Sequence, residues 1–204
     1  MFPSKLIEIQ NFLLENRAQL KEYSRDGRIN SAFNEDEIIN IINNDFKINL
    51  PNARAWFDFS FEENGEFYPV NIKVTTTHTT DNLNCKLGIY YALTGNIPIF
   101  NNINWKQYFC NLKMNLKENY KDYYFLIINK DNTQDIFVAS LKSLNKISPN
   151  GNNLPFQAKW DENRYPISRD FEEAKDFIMK CFANSLKLRA DAYFHFKKYF
   201  NEYA

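Results

Sequence analysis

Residues 67–80 read FYPVNIKVTTTHTT, a stretch that begins as a β-strand and runs into a tract of threonines. In its centre, Val70 and Ile72 alternate with Asn71 and Lys73. Because successive side chains of a strand point to opposite faces, we expect the two apolar residues to enter a core. The amide and the lysine then share the other face. The stretch therefore predicts a strand that presents polar groups on one side.

A partner strand precedes this stretch in the sequence. Residues 55–61, AWFDFSF, alternate aromatic and polar side chains, and the tetrapeptide EENG that follows supplies turn residues. Together the two strands predict a β-hairpin, which brings Asp58 on the facing strand within reach of Asn71 and Lys73. Pro69 lacks the N–H that a strand ladder needs, so it predicts a bulge or an edge position.

The remaining sequence supplies helices and further strands. Asn34 is a candidate helix N-cap, Gly95 is a candidate C-cap, and Asp170 and Glu173 form a candidate capping box. This order predicts an α/β or α+β fold with a central mixed β-sheet flanked by helices, in one domain over 1–204. The predicted helices cover 4–23, about 34–44, 81–95 and 170–203, the predicted strands cover 123–130 and 135–141, and a predicted loop covers 148–160.

The composition limits the class of protein. Lys and Arg total 25 and Asp and Glu total 25, so no overall charge attracts nucleic acid or a membrane, and DNA contact needs a local basic cleft. Three widely spaced cysteines and two histidines form neither a disulfide framework nor a zinc pattern. No apolar stretch has the length of a signal peptide core or a membrane span. We expect a cytoplasmic protein without membrane contact.

The hairpin gathers residue types that suit phosphodiester hydrolysis. Asp58 and Asn71 offer oxygen ligands of the kind that hold Mg²⁺. Lys73, two residues further along the strand, can stabilise negative charge or position the attacking water. The alternative for each is structural: Asp58 is then a polar residue on the wet face of FDFSF, and Lys73 is an edge lysine that extends to solvent.

These residues resemble a known nuclease signature. Asp58, twelve intervening residues and NIK at 71–73 are similar to the D-x(n)-(D/E)-x-K motif of type II restriction endonucleases, in the PD-(D/E)XK nuclease superfamily. The tract IKVTTTHTT at 72–80 is similar to the Lys-Thr-Thr continuation of the blunt-cutting branch. A hairpin that follows a helix bearing an acid is also typical of that superfamily. The resemblance implies a restriction-endonuclease-like core.

The resemblance implies roles for the motif residues. Asp58, Asn71 and the main-chain carbonyl of Ile72 would hold Mg²⁺ at the scissile phosphate, while Lys73 assists the water. The family has Asp or Glu where this chain has Asn71, and a neutral amide oxygen binds Mg²⁺ less strongly than a carboxylate. Three interpretations stay open for Asn71: a natural variant, an inactivating substitution, and a nuclease-like fold that no longer cuts.

A glutamate from the preceding helix often supports the metal site in this family. Glu35 fits that role best, because its helix face also carries Ile38, Ile39 and Ile42. Glu37 is the alternate. The structural alternative is an acid of the first helical turn, which the helix dipole favours there.

Two polar stretches are candidates for DNA contact, because Asn and Gln pair with adenine and Ser and Thr contact several base edges. One leaves the catalytic strand, and the other is an Asn-rich loop whose Gly and Pro fix its shape. Their structural alternatives are a continued strand and a surface turn. The candidate residues are Thr75, Thr76, Thr77, His78 and Thr79 in the first stretch, and Asn150, Asn152, Asn153 and Gln157 in the second.

The resemblance implies a Mg²⁺-dependent, site-specific endonuclease that cuts double-stranded DNA at a short, palindromic site and leaves 5′-phosphate and 3′-hydroxyl ends. It would act as a homodimer, with one active centre per strand, beside a cognate DNA methyltransferase. Three alternatives stay open. They are a structure-selective repair nuclease of the same superfamily, a non-catalytic DNA-binding protein of nuclease-like fold, and a small α/β protein in which Asp58 and Lys73 form a surface ion pair.

Overall fold

The structure is a computed structural model that describes residues 2–16, 35–51, 55–99 and 104–204. Within these ranges the chain forms a mixed α/β fold with five α-helices and two β-sheets. The helices are α1 (Ser4–Glu15), α2 (Glu35–Asp45), α3 (Lys86–Thr94), α4 (Trp105–Asn115) and α5 (Phe171–Tyr199). The strands are β1 (Phe59–Glu63), β2 (Glu66–Thr75), β3 (Thr80–Leu83), β4 (Tyr124–Asn129), β5 (Ile136–Ser140), β6 (Ser148–Pro149) and β7 (Phe156–Lys159).

The larger sheet has the strand order β1-β2-β4-β5 and is mixed, as the sequence predicts. The predicted hairpin is confirmed: β1 and β2 are antiparallel, and Asn64 (φ 53°) and Gly65 (φ 76°) turn between them with the positive φ angles of a two-residue loop. Pro69 pairs with β1, but β4 pairs with β2 only from Val70 onwards. Pro69 therefore has a local edge position, and no bulge interrupts the register.

Strand β2 runs parallel to β4, and β4 is antiparallel to β5. The apolar run of β4 is buried throughout, because both faces of the sheet are covered. Helices α1 and α2 pack against one face, with Leu6, Ile9 and Ile38 in a cluster that includes Ile72 of β2. Residues from α3, α4 and α5 cover the other face, around Phe125 and the fully buried Trp160.

The predicted loop at 148–160 is wrong in part. Its residues form β6 and β7, which join β3 in a second, three-stranded antiparallel sheet of order β3-β7-β6. Burial alternates along β7, with Phe156 and Ala158 inside and Gln157 and Lys159 outside, so the strand follows the usual period of two. The alternation is only four residues long and follows an Asn-rich turn, which hides it in the sequence.

The predicted helix at 81–95 is right at its end and wrong at its start. Gly95 is the left-handed C-cap (φ 72°), and its N–H donates to Tyr91. Leu83, however, pairs with Phe156 across β3 and β7, and the helix begins only at Lys86. The first residues of the helical pattern therefore belong to strand β3 instead of the helix.

Two other predicted helices are present but shorter: α1 ends at Glu15 with Asn16 as its C-cap, and α5 ends at Tyr199, before the predicted residue 203. The capping box at the start of α5 is present, with Glu173 N–H donating to Asp170 and Asp170 N–H donating to Glu173. Helix α2 matches the predicted 34–44, while Asn34 and residues 17–23 of the first predicted helix lie outside the described residues. Within the described ranges, no helix combines the length and apolarity that crossing a membrane requires.

Candidate functional site

The motif residues meet where β2 continues past the first residue of β1. Asp58 lies just before β1 rather than in it, and its N–H donates to the Val70 carbonyl at 2.9 Å. Ile72, two residues further along β2, directs its N–H to the same side. On that side the Ile72 N–H donates to the Asp58 carboxylate instead of to a strand carbonyl, with 2.6 Å between Ile72 N and Oδ2. The Asp58 side chain thus ends the ladder between the two strands.

Asn71 binds the same carboxylate from its side chain. Its Nδ2 lies 2.6 Å from Asp58 Oδ2, so one carboxylate oxygen accepts from both Asn71 and Ile72. An ionised carboxylate is an acceptor at both oxygens, which leaves Oδ1 available for a further partner. Because Nδ2 of Asn71 faces Asp58, its amide oxygen is directed away from that carboxylate.

The Ile72 carbonyl faces the same open edge of β2. The N–H and C=O of one strand residue point to the same side, and this side alternates from one residue to the next. Since the Val70 carbonyl accepts from Asp58 and the Ile72 N–H donates to Asp58, the Ile72 carbonyl is directed past the start of β1. The Ile72 side chain itself is fully buried in the core on the α1 and α2 side.

Glu35 joins this site through electrostatics. It is the first residue of α2, exposed on its outer side, and it approaches the hairpin from another part of the chain. Partial burial raises the pKa of Glu35, and the nearby Asp58 carboxylate raises it further while Lys73 lowers it. The titration of Glu35 therefore responds to both motif residues, Asp58 and Lys73.

The Asp58 carboxyl is held in an unfavourable charge state. Burial raises its pKa above the usual value, and Asp36 adds to that effect. The Ile72 N–H and the Lys73 ammonium oppose it by stabilising the anion. Two neighbouring carboxyl groups, Asp58 and Glu35, therefore both titrate above their ordinary range, a pattern typical of sites that bind a cation or exchange protons.

Replacing this carboxyl should stabilise the protein at neutral pH. Because the folded-state pKa of Asp58 lies above its unfolded value of 3.8, the ionised carboxylate costs free energy once the pH exceeds the folded pKa. We expect Asp58→Asn to raise the free energy of unfolding at pH 7 by on the order of 1 kcal/mol. The gain should shrink as the pH falls through the folded-state pKa and should vanish only below 3.8, where the wild-type carboxyl is protonated in both states.

Thermal unfolding at pH 7 and pH 4.5 measures this effect. Asp45→Asn is the matched control, because Asp45 is exposed at the end of α2 and its replacement should leave stability nearly unchanged. A wild-type protein more stable than Asp58→Asn at pH 7 would contradict the prediction.

Buried and half-buried residues that the sequence analysis did not single out pack beneath Asp58, and we call Tyr123 and Trp56 the floor of the site. Tyr123 lies directly before β4 and donates its hydroxyl to the Trp56 carbonyl at 2.6 Å, which anchors the segment leading to Asp58. Burial raises the pKa of Tyr123 far above its usual value, and the charges of Asp58 and Glu35 act in the same direction. The only signal for Tyr123 in the sequence was its place in a buried-strand run.

Cys85 is a second buried residue near the site that the sequence analysis did not single out, and the Lys73 charge acts on it. Burial raises the pKa of Cys85 to about 12, and the Lys73 ammonium only partly opposes this shift. The thiol therefore stays protonated at neutral pH and is no nucleophile. Its role here is to pack under the site.

The threonine tract forms a tight turn at the end of β2. Thr76 donates its hydroxyl to Asp131 at 2.8 Å, and Thr79 donates to the Thr76 carbonyl. Thr77 is buried, and its hydroxyl accepts from Asn129 and from Arg164. The remaining predicted members of this stretch differ in exposure: Thr75 is half-buried at the strand end, and His78 is exposed.

The Asn-rich loop is fixed by its own amides. Asn150 donates through Nδ2 to Asn82 and to Gln157, each at 2.9 Å, and thereby links all three strands of the small sheet. Its Oδ1 accepts from the N–H groups of Asn152 and Asn153, whose side chains are exposed.

The two predicted DNA-contacting stretches belong to different parts of the fold, one at the end of β2 and one on the small sheet. The catalytic candidates, in contrast, come together: Asp58 accepts a hydrogen bond from Asn71, the Lys73 charge lowers the pKa of Asp58, and the charges of Asp58 and Lys73 both act on Glu35. The small sheet reaches the same region, since Asp81 of β3 raises the pKa of Glu35.

The donor set at this edge is made of oxygen atoms. A carboxylate, a main-chain carbonyl and an amide oxygen are ligands that Mg²⁺ accepts, whereas softer metals favour sulfur or imidazole. Among the described residues, no three His, Cys, Asp or Glu side chains lie close enough to form a metal-binding group by themselves. The set therefore fits Mg²⁺ only if Asn71 or the Ile72 carbonyl contributes a ligand.

No family model matches the sequence, and no curated protein matches it.

Proposed function

We propose that this protein is a Mg²⁺-dependent endonuclease that hydrolyses phosphodiester bonds in double-stranded DNA, similar to the type II restriction enzymes. The observation that carries the proposal is the Asp58 carboxylate at the open edge of β2. It accepts from Asn71 and Ile72 on one oxygen, the Lys73 charge stabilises its anion, and its own charge raises the pKa of Glu35. These groups come from two separate parts of the chain, α2 and the hairpin.

Each residue has a distinct role in the proposed reaction. Asp58, through its second oxygen, and the Ile72 carbonyl would hold Mg²⁺, with Asn71 as a weaker ligand. The bound ion would supply Lewis-acid stabilisation of the phosphate charge. Lys73 orients the attacking water and stabilises the negative charge that develops on the phosphate. Glu35, whose pKa is raised, would accept a proton from that water.

Two surfaces would flank DNA at this site. The turn after β2 carries the exposed His78, and the small sheet carries the exposed side chains of Asn152 and Asn153. Asn150 and Gln157 bond each other, so they would shape the loop rather than contact bases directly. A cytoplasmic restriction enzyme of this kind requires a cognate DNA methyltransferase that protects the host genome.

Digestion of phage DNA tests the proposal. With Mg²⁺ we expect discrete fragments from the wild-type protein and from Asp45→Ala, which replaces an exposed aspartate at the last residue of α2. Asp58→Ala with Mg²⁺, and the wild type with EDTA, should give none. If no version of the protein cleaves DNA with Mg²⁺ or Mn²⁺, the proposal fails.

A non-catalytic DNA-binding protein is the second candidate, and one contact favours it. The Asn71 amide holds Asp58 through a hydrogen bond, so the site is neutral at that position and needs no cation to offset repulsion. With Asn71→Asp, the carboxylates of residues 58 and 71 would lie side by side, and binding of Mg²⁺ would offset their electrostatic repulsion. Fragments that appear only with Asn71→Asp, together with DNA binding by the wild type, would establish this second candidate.

A further inference from the structure

A cavity lies at the end of the larger sheet where β4 begins and β5 ends. Its volume is about 410 Å³, within the range of pockets that hold small organic molecules. Tyr124 and Ser140, which pair across β4 and β5, form one side, and Phe171 at the start of α5 forms another. Lys142 follows β5, and Arg169 precedes α5. Among the described residues that line the cavity, none belongs to the candidate nuclease site.

Two half-buried cations, Lys142 and Arg169, line this cavity next to each other. Arg169 donates from Nη1 to the carbonyls of Lys142 at 3.2 Å and Leu144 at 2.8 Å. Lys142 donates from Nζ to the Asn119 carbonyl at 2.9 Å. All of these acceptors are neutral. Within the described part of the chain, neither cation forms a salt bridge.

Both cations keep hydrogen-bond donors for a further partner. An ammonium has three N–H groups and a guanidinium has five. The described residues accept from one donor of Lys142 and from Nη1 of Arg169. Aromatic rings hold both side chains in place, since Lys142 lies 5.3 Å from the centroid of Phe171 and Arg169 lies 4.0 Å from that of Phe177.

The acids that line the cavity are compensated by main-chain donors. Asp122 is buried, and its carboxylate accepts from the N–H groups of Tyr123 at 2.8 Å and Lys142 at 3.1 Å. Asp170 is the N-cap of α5 and accepts from the Glu173 N–H at 2.8 Å. These negative charges therefore stabilise the main chain, and they leave the side chains of the two cations without a direct counter-ion.

Burial makes the positive charges of this cavity costly. It lowers the pKa of Lys142 and that of Arg169, and the nearby charges of Asp122 and Glu173 oppose this effect without cancelling it. A bound anion would supply counter-charge to both groups. The N–H donors of the Arg169 guanidinium form a planar fork, which binds groups with two or more oxygens. Carboxylates and phosphates both have that geometry.

We propose that this cavity is a binding site for a small organic anion, whose carboxylate or phosphate group contacts Lys142 and Arg169 and whose apolar body packs against Tyr124 and Phe171. The cavity provides both kinds of surface that such a ligand needs, a pair of cations and aromatic rings. The inference is independent of the nuclease proposal, because it uses no residue of that site.

Isothermal titration calorimetry of the full chain tests the cavity, in a buffer that contains EDTA but no phosphate or sulfate. The probes are benzoate and phenyl phosphate, with benzyl alcohol as a neutral probe of similar size. At least one anion should bind once per chain with a Kd below about 1 mM, and about tenfold more tightly than benzyl alcohol. The anion that binds more tightly identifies the preferred group, carboxylate or phosphate.

Lys142→Met and Arg169→Met should each weaken anion binding by about tenfold or more, since each removes a charged hydrogen-bond donor. The two positions belong to different segments, so a folding defect in one variant leaves the other as a test. Lys146→Met is the matched control, because Lys146 is exposed, pairs with Glu162 and does not line the cavity. It should change the affinity by less than about twofold.

Three results would each overturn the proposal. The first is that neither anion binds at concentrations up to about 1 mM. The second is that benzyl alcohol binds as tightly as the anions, since the cations would then have no part in recognition. The third is that Lys142→Met and Arg169→Met bind the anions no more weakly than Lys146→Met, which would place the bound anion elsewhere on the protein.

Discussion

Lys73→Ala should abolish DNA cleavage while leaving the protein folded and able to bind DNA. Lys73 is the positive group that offsets the carboxylates of Asp58 and Glu35, and it follows the two proposed ligands on β2. Loss of a group that positions water and stabilises the transition state costs about 10²–10⁴ in rate. We therefore expect the cleavage rate with Mg²⁺ to fall by at least a factor of about a thousand.

The measurement is a single-turnover cleavage assay, paired with DNA binding in Ca²⁺. Binding should weaken only slightly, as for the loss of one phosphate contact, since the ammonium acts mainly in the chemical step. Lys113→Ala is the matched control, because Lys113 is exposed on α4. Cleavage by Lys73→Ala at the wild-type rate would exclude Lys73 from catalysis and remove the main support for the proposed mechanism.

A second effect of Lys73→Ala separates its electrostatic role from a purely structural one. Without the ammonium, the pKa values of Asp58 and Glu35 should rise further, because both carboxyls lose the cation that now lowers them. Any residual cleavage should therefore shift its pH dependence to higher pH. Lys73→Met, which keeps most of the side chain's length, should show the same shift.

The hairpin could be predicted because its signals are local. Asn64 and Gly65 adopt positive φ angles that few other residues tolerate, and the strands around them alternate over adjacent residues. Once the hairpin is assigned, strand geometry alone places Asp58 beside Asn71. The core of the candidate site therefore follows from fewer than twenty consecutive residues.

The second sheet could not be predicted, because its stability comes from residues far apart in sequence. Strand β3 has the sequence TDNL, whose central Asp81 and Asn82 are residue types depleted in strands, and it precedes a helical pattern. It forms because Leu83 pairs with Phe156 and because Asp81 accepts from the Trp160 indole at 3.0 Å. Asn150 depends on the same pairing, since Asn82 and Gln157 become neighbours only across β3 and β7.

Tyr123 was missed for a related reason. Its position under the site depends on how α3 packs against the sheet, and no local pattern reports that contact. A Cβ atom added at Gly88 of α3 would lie 2.6–2.9 Å from three atoms of the Tyr123 ring. Gly88 is thus required by close packing rather than by its backbone angles.

Gly88→Ala should destabilise the protein strongly for a change that adds a single methyl group. The Tyr123 ring is buried and its hydroxyl is tied to Trp56, so it has little freedom to move away from the added methyl group. Overpacking of this kind costs about 1–3 kcal/mol, and we expect the upper end of that range. Displacement of the ring would also shift the segment that leads to Asp58, so DNA cleavage should fall together with stability.

Urea unfolding of a double-mutant cycle isolates this contact. Tyr123→Leu alone should destabilise the protein by leaving a gap, but Gly88→Ala together with Tyr123→Leu should cost less than the sum of the two. Gly65→Ala is the control, because no atom lies within 4 Å of a Cβ there and only its positive φ opposes the change. Additive costs for Gly88→Ala and Tyr123→Leu would show that the ring does not oppose the methyl group. In that case the floor beneath Asp58 would be deformable, and Gly88 would have no part in holding Tyr123 and Trp56 in place.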